Sequence, residues 1–181
     1  MRSPLASERG FSLVELMLVV AIAATIAGIA VPALGDVSDS IKLNEATRMV
    51  ERELQDARIK AVSNNTRIRM RTNCPAAGFI RIVEVMGTAA DTAADRCLQT
   101  VYPFPPDQDL MTRPNSDGPV RVLTNAATVG TEAIQFAPDG TAMQVVAGVA
   151  QAIAVPVTIT VTRKGNSRSV TINGLGKVQL Q

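Results

Sequence analysis

The chain has 181 residues, a formal net charge of +2, no histidine, no tryptophan and one tyrosine. This length suits a membrane anchor followed by a single domain that is large enough to bury a core. The lack of histidine excludes catalytic triads and metal sites that use this residue, and the near-neutral charge says nothing about nucleic acid. With one tyrosine, a stacking platform for single strands is not expected.

Residues 1–10 form a short leader, which carries Arg2 and Arg9 ahead of an apolar run over 11–35. Positive charges at this end are typical of the cytoplasmic side of a membrane. The clearly polar side chains between residues 11 and 31 are Ser12, Glu15 and Thr25. Crossing a hydrocarbon core takes about 20 apolar helical residues, so the run is long enough to span a membrane.

Glu15 needs an explanation, because a carboxylate inside such a segment costs about 2.5–3.5 kcal/mol on insertion scales. The apolar run contains no cation. If the chain were cleaved between Gly10 and Phe11, the new α-amino group, on this chain or on a neighbour, would lie near the depth of Glu15 and could pair with it. The alternatives are an ordinary signal peptide, a plain single-pass anchor and a buried helix of a soluble protein.

A resemblance to a known signal covers the residues Gly10-Phe11-Ser12-Leu13-Val14-Glu15-Leu16. This stretch resembles the class III signal of type IV pilins and of the pseudopilins of type II secretion. The resemblance implies cleavage by prepilin peptidase after Gly10, N-methylation of Phe11, and a role for Glu15 in filament assembly. Residues 11–35 would be a transmembrane and assembly helix, with other pilin or pseudopilin subunits as partners.

The next segment, from Asp36 to Val62, is charged but keeps helical spacing. Its predicted buried stripe is Val37, Ile41, Ala46, Met49, Val50, Leu54, Ala57 and Ala61. Pro32 and Gly35 predict a kink between the two helical segments, and the sequence Ser63-Asn64-Asn65 predicts the helix end. We therefore expect one long helix with a membrane half and an amphipathic half.

After residue 65 the apolar period changes to two, which is typical of strands. Ile68 and Met70 are predicted to face inward, and three arginines, Arg67, Arg69 and Arg71, to face outward. Further strands are predicted at 78–85, 97–102, 120–123, 133–136, 155–162, 169–172 and 177–180. Loops are predicted at 86–96 and 103–119, and turns at Pro138-Asp139-Gly140 and Lys164-Gly165-Asn166.

Cys74 and Cys97 are the only cysteines. Behind an anchor that delivers the domain to the bacterial periplasm, a disulfide is expected, with two unpaired buried thiols as the alternative. Two cysteines alone make a poor metal site. Catalysis, a metal and a cofactor are not expected, because the sequence has no phosphate loop, metal-spaced cluster or nucleophile elbow. The aspartates of polar loop sequence, typical of solvated carboxylates, are Asp91, Asp95, Asp107 and Asp109.

Segments across the rest of the chain are similar to the GspH/FimT family of minor pseudopilins and minor type IV pilins. They are Leu54–Arg58, Phe136–Gly140, Arg168–Ile172 and Gly174–Lys177. The resemblance implies an α+β, pilin-like fold, in which a long N-terminal helix packs on a small antiparallel β-domain. The amphipathic half, 36–63, and the β-domain, 66–181, would form a periplasmic domain over 36–181. The anchor would lie in the inner membrane, and the filament would be a type II secretion pseudopilus or a type IV pilus.

DNA binding for natural transformation is the alternative function. After Asp139 the chain has no acidic side chain but carries Arg163, Lys164, Arg168 and Lys177. Together with the arginines of the first strand, these cations could form a patch that contacts phosphates. DNA-binding members of the resembled family carry a Gly-Arg-x-Arg motif near the C-terminus. The matching residues here, Gly176-Lys177-Val178-Gln179, keep one cation and lose the other.

Overall fold

The computed structural model describes residues 11–105, 116–123 and 127–181, without the side chains of 31–33 and 128. One long helix, α1, runs from Leu13 to Ser63, as predicted. The chain divides into two compact units, the first ending at Ser38 and the second comprising Asp39–Gln181. Pro32 lies among the residues whose side chains are not described, so the predicted kink stays a prediction.

Ten strands follow α1 in the described ranges. They are β1 (Ile68–Thr72), β2 (Phe79–Glu84), β3 (Val120–Val122), β4 (Thr128–Val129), β5 (Ala133–Phe136), β6 (Ala142–Val146), β7 (Val149–Ala152), β8 (Val157–Arg163), β9 (Asn166–Ile172) and β10 (Val178–Leu180). They form a six-stranded sheet in the order β3-β2-β1-β5-β6-β7 and a four-stranded sheet in the order β10-β9-β8-β4. All of these pairings are antiparallel. The predicted α+β architecture is thus confirmed.

The core of the second unit contains side chains of α1 and of both sheets in one cluster. The helix contributes Leu43, Ala46, Val50, Leu54, Ala57 and Ala61, which repeat every three or four residues. The six-stranded sheet contributes Ile68, Met70, Ile80, Ile82, Ile134 and Phe136, and the four-stranded sheet Ile159, Val161, Val170 and Ile172. Alternation along each strand puts these residues on the face that meets the helix.

The predicted stripe was wrong at its start, because Val37 and Ile41 are exposed, Ile41 at 62%. The buried stripe begins instead at Leu43, which is 4% exposed. Two helical positions correspond to a rotation of about 200°, so Ile41 and Leu43 lie on opposite sides of α1. The helix end is confirmed at Ser63, and Asn65 follows it with φ of 51°.

The predicted strand at 97–102 was also wrong. Cys97 ends the second of two short 3₁₀ helices, Ala89–Thr92 and Ala94–Cys97, which occupy the predicted loop. The backbone N–H groups of Val101 and Tyr102 both donate to the carbonyl oxygen of Leu98, so they make a turn and no ladder. The disulfide ties this segment to Cys74, after β1, and Nη2 of Arg96 donates to the Glu84 carbonyl at the end of β2. Both contacts lie outside the local pattern that predicted a strand.

Strands β4, β6 and β7 were missed in the sequence. In β6 and β7, alanine and glutamine interrupt the apolar pattern, and alanine is depleted in strands. The hairpin between them turns through Ala147 and Gly148, with φ of 49° and 84°. Two positive φ angles are typical of a two-residue hairpin turn, which is usually recognised by the sequence Asn-Gly. Because alanine occupies the first position here, the sequence did not indicate the turn. The predicted turns at Pro138–Gly140 and Lys164–Asn166 are confirmed.

Candidate functional site

The N-terminal end of α1 carries the residues of the predicted cleavage and assembly signal. Phe11 is exposed just before the helix, and Glu15 is the third helical residue. The carbonyl oxygen of Ser12 accepts the first helical bond, from the N–H of Leu16, so Ser12 is the N-cap residue. A serine at the N-cap with a glutamate three residues later has the spacing of a capping box. Gly10 lies outside the described residues.

The surface of α1 between residues 11 and 30 is exposed and apolar. This segment is long and apolar enough to cross a membrane by length and composition, and none of it is buried within the described chain. Its large apolar residues include Leu13, Val14, Leu16, Met17, Leu18, Val19, Val20, Ile22, Ile26 and Ile29. An apolar surface of this size is normally covered by lipid or by other protein segments.

Cys74 and Cys97 form a disulfide with a Cα–Cα distance of 5.3 Å. The bond joins the chain just after β1 to the end of the second 3₁₀ helix. It therefore fastens residues 85–97 over the six-stranded sheet, on the face opposite the helix.

A buried cluster of charge lies beside the disulfide, and the sequence did not predict it. Arg96 pairs with Asp117 and lies 4.4 Å from the ring centre of Tyr102. Arg81, which is fully buried in β2, donates from Nε to the Gly118 carbonyl at 3.0 Å and from Nη2 to the Tyr102 carbonyl at 2.6 Å. Burial lowers the pKa of Arg81, and Asp117 opposes this effect. Nε of Arg96 has no hydrogen-bond partner in the described ranges, but the other contacts of the two arginines join the loops to β2.

The basic C-terminal residues do not form one patch of free charge. Arg163 and Lys164 both donate to the carboxylate of Asp39 on α1, at 2.9 and 2.6 Å. The hydrogen bond from Lys164 is the largest cause that lowers the pKa of Asp39, and the hydrogen bond from Arg163 is the next largest. Arg168 and Lys177 are exposed. Contact of these four residues with DNA stays a prediction, and the geometry adds no support for it.

Arg67, Arg69 and Arg71 were predicted to face away from the core, and Arg69 does lie on the outer face of the six-stranded sheet, but it is buried there. Arg69 is only 5% exposed, and its Nη2 donates to Oε1 of Gln135 on the neighbouring strand at 2.9 Å. The loop over 85–97 covers this part of the sheet. Arg69 and Arg71 belong to the six-stranded sheet, and Arg67 directly precedes it, whereas Arg163 and Arg168 belong to the four-stranded sheet.

Arg58 joins three segments that carry the family resemblance. From the amphipathic half of α1, its Nε donates to the Gly140 carbonyl and its Nη2 to the Leu175 carbonyl, both at 3.1 Å. A Cβ at Gly176 would lie 2.3 Å from the Gly140 oxygen, so only glycine fits this approach. Arg58 and Ile59 also line two surface pockets of about 320 and 350 Å³. The sequence identified these three segments by their family resemblance, but it did not predict that they are in contact.

The carboxylates predicted to lie in loops offer no catalytic arrangement in the described residues. Both oxygens of Asp91 accept backbone N–H groups, from Met86 and Gly87, at 2.9 and 2.8 Å. Asp107 and Asp109 lie outside the described ranges. Within those ranges, no group of three or more histidine, cysteine, aspartate or glutamate residues could hold a metal ion.

Comparison with known proteins gives two family matches and a fold match. The family described as type II transport protein GspH matches residues 46–176, and the prokaryotic N-terminal methylation motif matches residues 5–31. The type IV minor pilin FimU of Pseudomonas aeruginosa is similar in structure, with 17% identity and a TM-score of 0.50 over 80% of this chain and 92% of that chain. The minor pseudopilin EpsH of the Vibrio cholerae type 2 secretion system gives 13% identity and a TM-score of 0.45, over 77% of this chain and 96% of that chain. No curated protein is significantly similar in sequence.

Proposed function

Since this chain belongs to the GspH family of minor pilins and pseudopilins, we propose that it is made as a precursor, cleaved after Gly10 by prepilin peptidase and methylated at Phe11. Residues 1–10 are the leader, 11–35 the anchor in the bacterial inner membrane, and 36–181 the periplasmic domain. The mature chain enters a type II secretion pseudopilus or a type IV pilus as a minor subunit. Members of this family are structural subunits and are not enzymes.

The observation that carries this proposal is the uncovered apolar surface of α1. Residues 11–30 are exposed throughout. Lipid covers this surface before assembly, and the helices of neighbouring subunits cover it afterwards. Small residues let such helices approach closely. They include Ala21, Ala23, Ala24, Ala27, Gly28 and Ala30.

In the assembled filament, the carboxylate of Glu15 pairs with the α-amino group of Phe11, on this chain or on a neighbour. In apolar surroundings an unpaired carboxylate is costly, so the pair would set the register of one subunit against the next. The position of Glu15 also suits a purely local role, because an acidic residue in the first turn stabilises the helix N-terminus. The test must therefore separate charge pairing from capping.

Two substitutions at Glu15 make this separation. Glu15→Gln removes the charge but keeps a side chain that can serve in a capping box, whereas Glu15→Ala removes both. We expect both variants to reach the membrane and both to be lost from sheared filaments. Ser12→Ala is the matched control, because it removes the N-cap hydroxyl and leaves the carboxylate, and it should assemble normally. Normal incorporation of Glu15→Gln would overturn the charge-pairing role.

Processing is tested separately by the intact mass of the chain from the membrane fraction. The expected mass is that of residues 11–181 with one added methyl group and two hydrogens fewer, since the disulfide is formed. A chain that keeps residues 1–10 in a strain with active prepilin peptidase would contradict the proposed cleavage.

A further inference from the structure

A pocket of about 200 Å³ opens on the outer face of the six-stranded sheet, opposite the core. Arg71, Ala133 and Val145 lie side by side in its floor, because the register pairs Arg71 with Ala133 and Ala133 with Val145 across β1, β5 and β6. Arg69, Asp91 and Thr92 complete the polar lining. The pocket is distinct from the apolar helix segment on which the proposed function depends.

Arg69 has a hydrogen-bonding group to spare at this pocket. The side chain is 5% exposed, and its Nη2 donates to Gln135. Its Nε, however, is buried without a hydrogen-bond partner in the described ranges. A buried donor without an acceptor is costly, and a ligand oxygen in the pocket would relieve this cost.

The charges around the pocket do not cancel. The two guanidinium groups that line the pocket, of Arg69 and Arg71, outnumber its one carboxylate, of Asp91. Arg67 and Arg96 add positive charge nearby. Both oxygens of Asp91 are already engaged by backbone N–H groups. Among the described residues, Arg71 makes one side-chain hydrogen bond, to the Ala93 carbonyl, and this bond is long, at 3.4 Å, so the guanidinium keeps donors for another acceptor.

The chemistry of the lining selects among anions. The positive lining favours an anion, and Asp91 disfavours the second charge of a phosphate dianion, so a monovalent anion is the better match. In the floor of the pocket, Ala133 and Val145 offer an apolar surface for the carbon chain that a carboxylate carries. We propose that this pocket binds a monovalent carboxylate, which accepts hydrogen bonds from Nε of Arg69 and from the guanidinium of Arg71. Its source is either a free organic acid or an acidic side chain of another polypeptide.

The test follows the Nε–Hε signal of Arg69 by NMR in the full chain, labelled with ¹⁵N-arginine, in detergent micelles. The probes are sodium butyrate, for a free acid, and acetyl-Ala-Glu-Ala-amide, for an acidic side chain. Acetyl-Ala-Gln-Ala-amide is the neutral control, and sodium phosphate is the competing anion, all at constant ionic strength. We expect a saturable shift with at least one carboxylate, and the tighter of the two identifies the source.

Variants assign the binding to this pocket. Arg71→Gln, at a partly exposed position of the pocket floor, should weaken carboxylate binding about ten-fold or more. Ala133→Leu should block the pocket without changing its charge. Because two different variants test the pocket, the result does not depend on the folding of either one alone. Arg168→Gln, an exposed change on the other sheet, should leave the affinity unchanged. The proposal is overturned if neither carboxylate gives a saturable shift, if phosphate binds more tightly than both, or if the two pocket variants bind like the unmodified chain.

Discussion

The carboxylate of Asp39 lies 2.9 Å from Nη2 of Arg163, although 124 residues separate the two in the sequence. Lys164, the next residue, donates to the other oxygen of the same carboxylate. One acidic residue on α1 thus holds the turn of the β8–β9 hairpin to the helix. Arg163 and Lys164 are two of the four cations that were predicted to contact DNA, and both are paired with Asp39.

Asp39→Asn should lower the free energy of unfolding at pH 7. It should also make this free energy fall less steeply as the pH is lowered. The hydrogen bonds of Lys164 and Arg163 lower the pKa of Asp39, so the folded state binds fewer protons than the unfolded state. The contribution of Asp39 is complete above its unfolded pKa of about 3.9 and is lost as the pH falls through the lower folded value. Urea unfolding across pH, followed by the fluorescence of Tyr102, measures this. Asp36→Asn, at an exposed helical position, is the control, and equal midpoints for Asp39→Asn and the unmodified chain would contradict the prediction.

Glu53→Gln should be neutral or stabilising at pH 7, although it breaks a salt bridge. Glu53 is buried against Arg121 at 3.0 Å, and burial raises its pKa more than Arg121 lowers it. The folded state therefore binds more protons, and stability falls as the pH rises from the unfolded pKa of about 4.3 through the higher folded value. The gain from Glu53→Gln should disappear below that range.

Arg121→Gln provides the opposite test, since it leaves the buried carboxylate of Glu53 without its partner and should destabilise the domain at pH 7. Urea midpoints of both variants at pH 7 and pH 4 separate the two effects. A larger loss for Glu53→Gln than for Arg121→Gln at pH 7 would show that the salt bridge outweighs the cost of burying the charge.

Replacement of both Cys74 and Cys97 by serine should lower the free energy of unfolding by about 3.5 kcal/mol, because the cross-link restricts the conformational freedom of the unfolded chain. The estimate follows from the sequence separation of 23 residues between the two cysteines. Urea unfolding with and without reductant checks it. Reductant should shift the midpoint of the unmodified chain and leave the double variant unchanged; a reductant-independent midpoint in both would contradict the prediction.

Gly176→Ala and Gly165→Ala form a matched pair. Both glycines have positive φ, of 74° and 82°, so either substitution should cost about 1–2 kcal/mol in the backbone. At Gly165 an added Cβ meets nothing within 4 Å, whereas at Gly176 it would lie 2.3 Å from the Gly140 oxygen and 2.9 Å from Nε of Arg58. Gly176→Ala should therefore cost about 2 kcal/mol more than Gly165→Ala, because Arg58 must leave its carbonyl partners. Equal losses in thermal or urea unfolding would show that this contact adds nothing.

The elements that were predictable from the sequence are those with a strong local pattern. The apolar helix, the alternation around Ile68 and Met70, and the threonine-rich β8 each show their period within a few residues. The alternation places Arg69 and Arg81 on the outer face of the sheet. The sequences of β1 and β2 contain no sign that a later loop covers these two residues. Asp117 likewise lies in a segment with every sign of an irregular loop, and its burial depends on Arg96, 21 residues away. The partner expected for Glu15 lies at the chain's own cleaved end or on another molecule.

The position of α1 at the start of the chain constrains the order in which the domain can fold. Its stripe from Leu43 to Ala61 is synthesised before every strand that covers it, so it stays uncovered while the chain lengthens. The last large piece of that cover, the β8–β9 hairpin, is synthesised about a hundred residues later, and contacts of such separation form slowly. A nascent chain that stopped after β7 would still lack Ile159, Val161, Val170 and Ile172 from its core. The apolar stripe of α1 therefore stays exposed until β8 and β9 pack on it. Until then, the incomplete chain is a substrate for proteases.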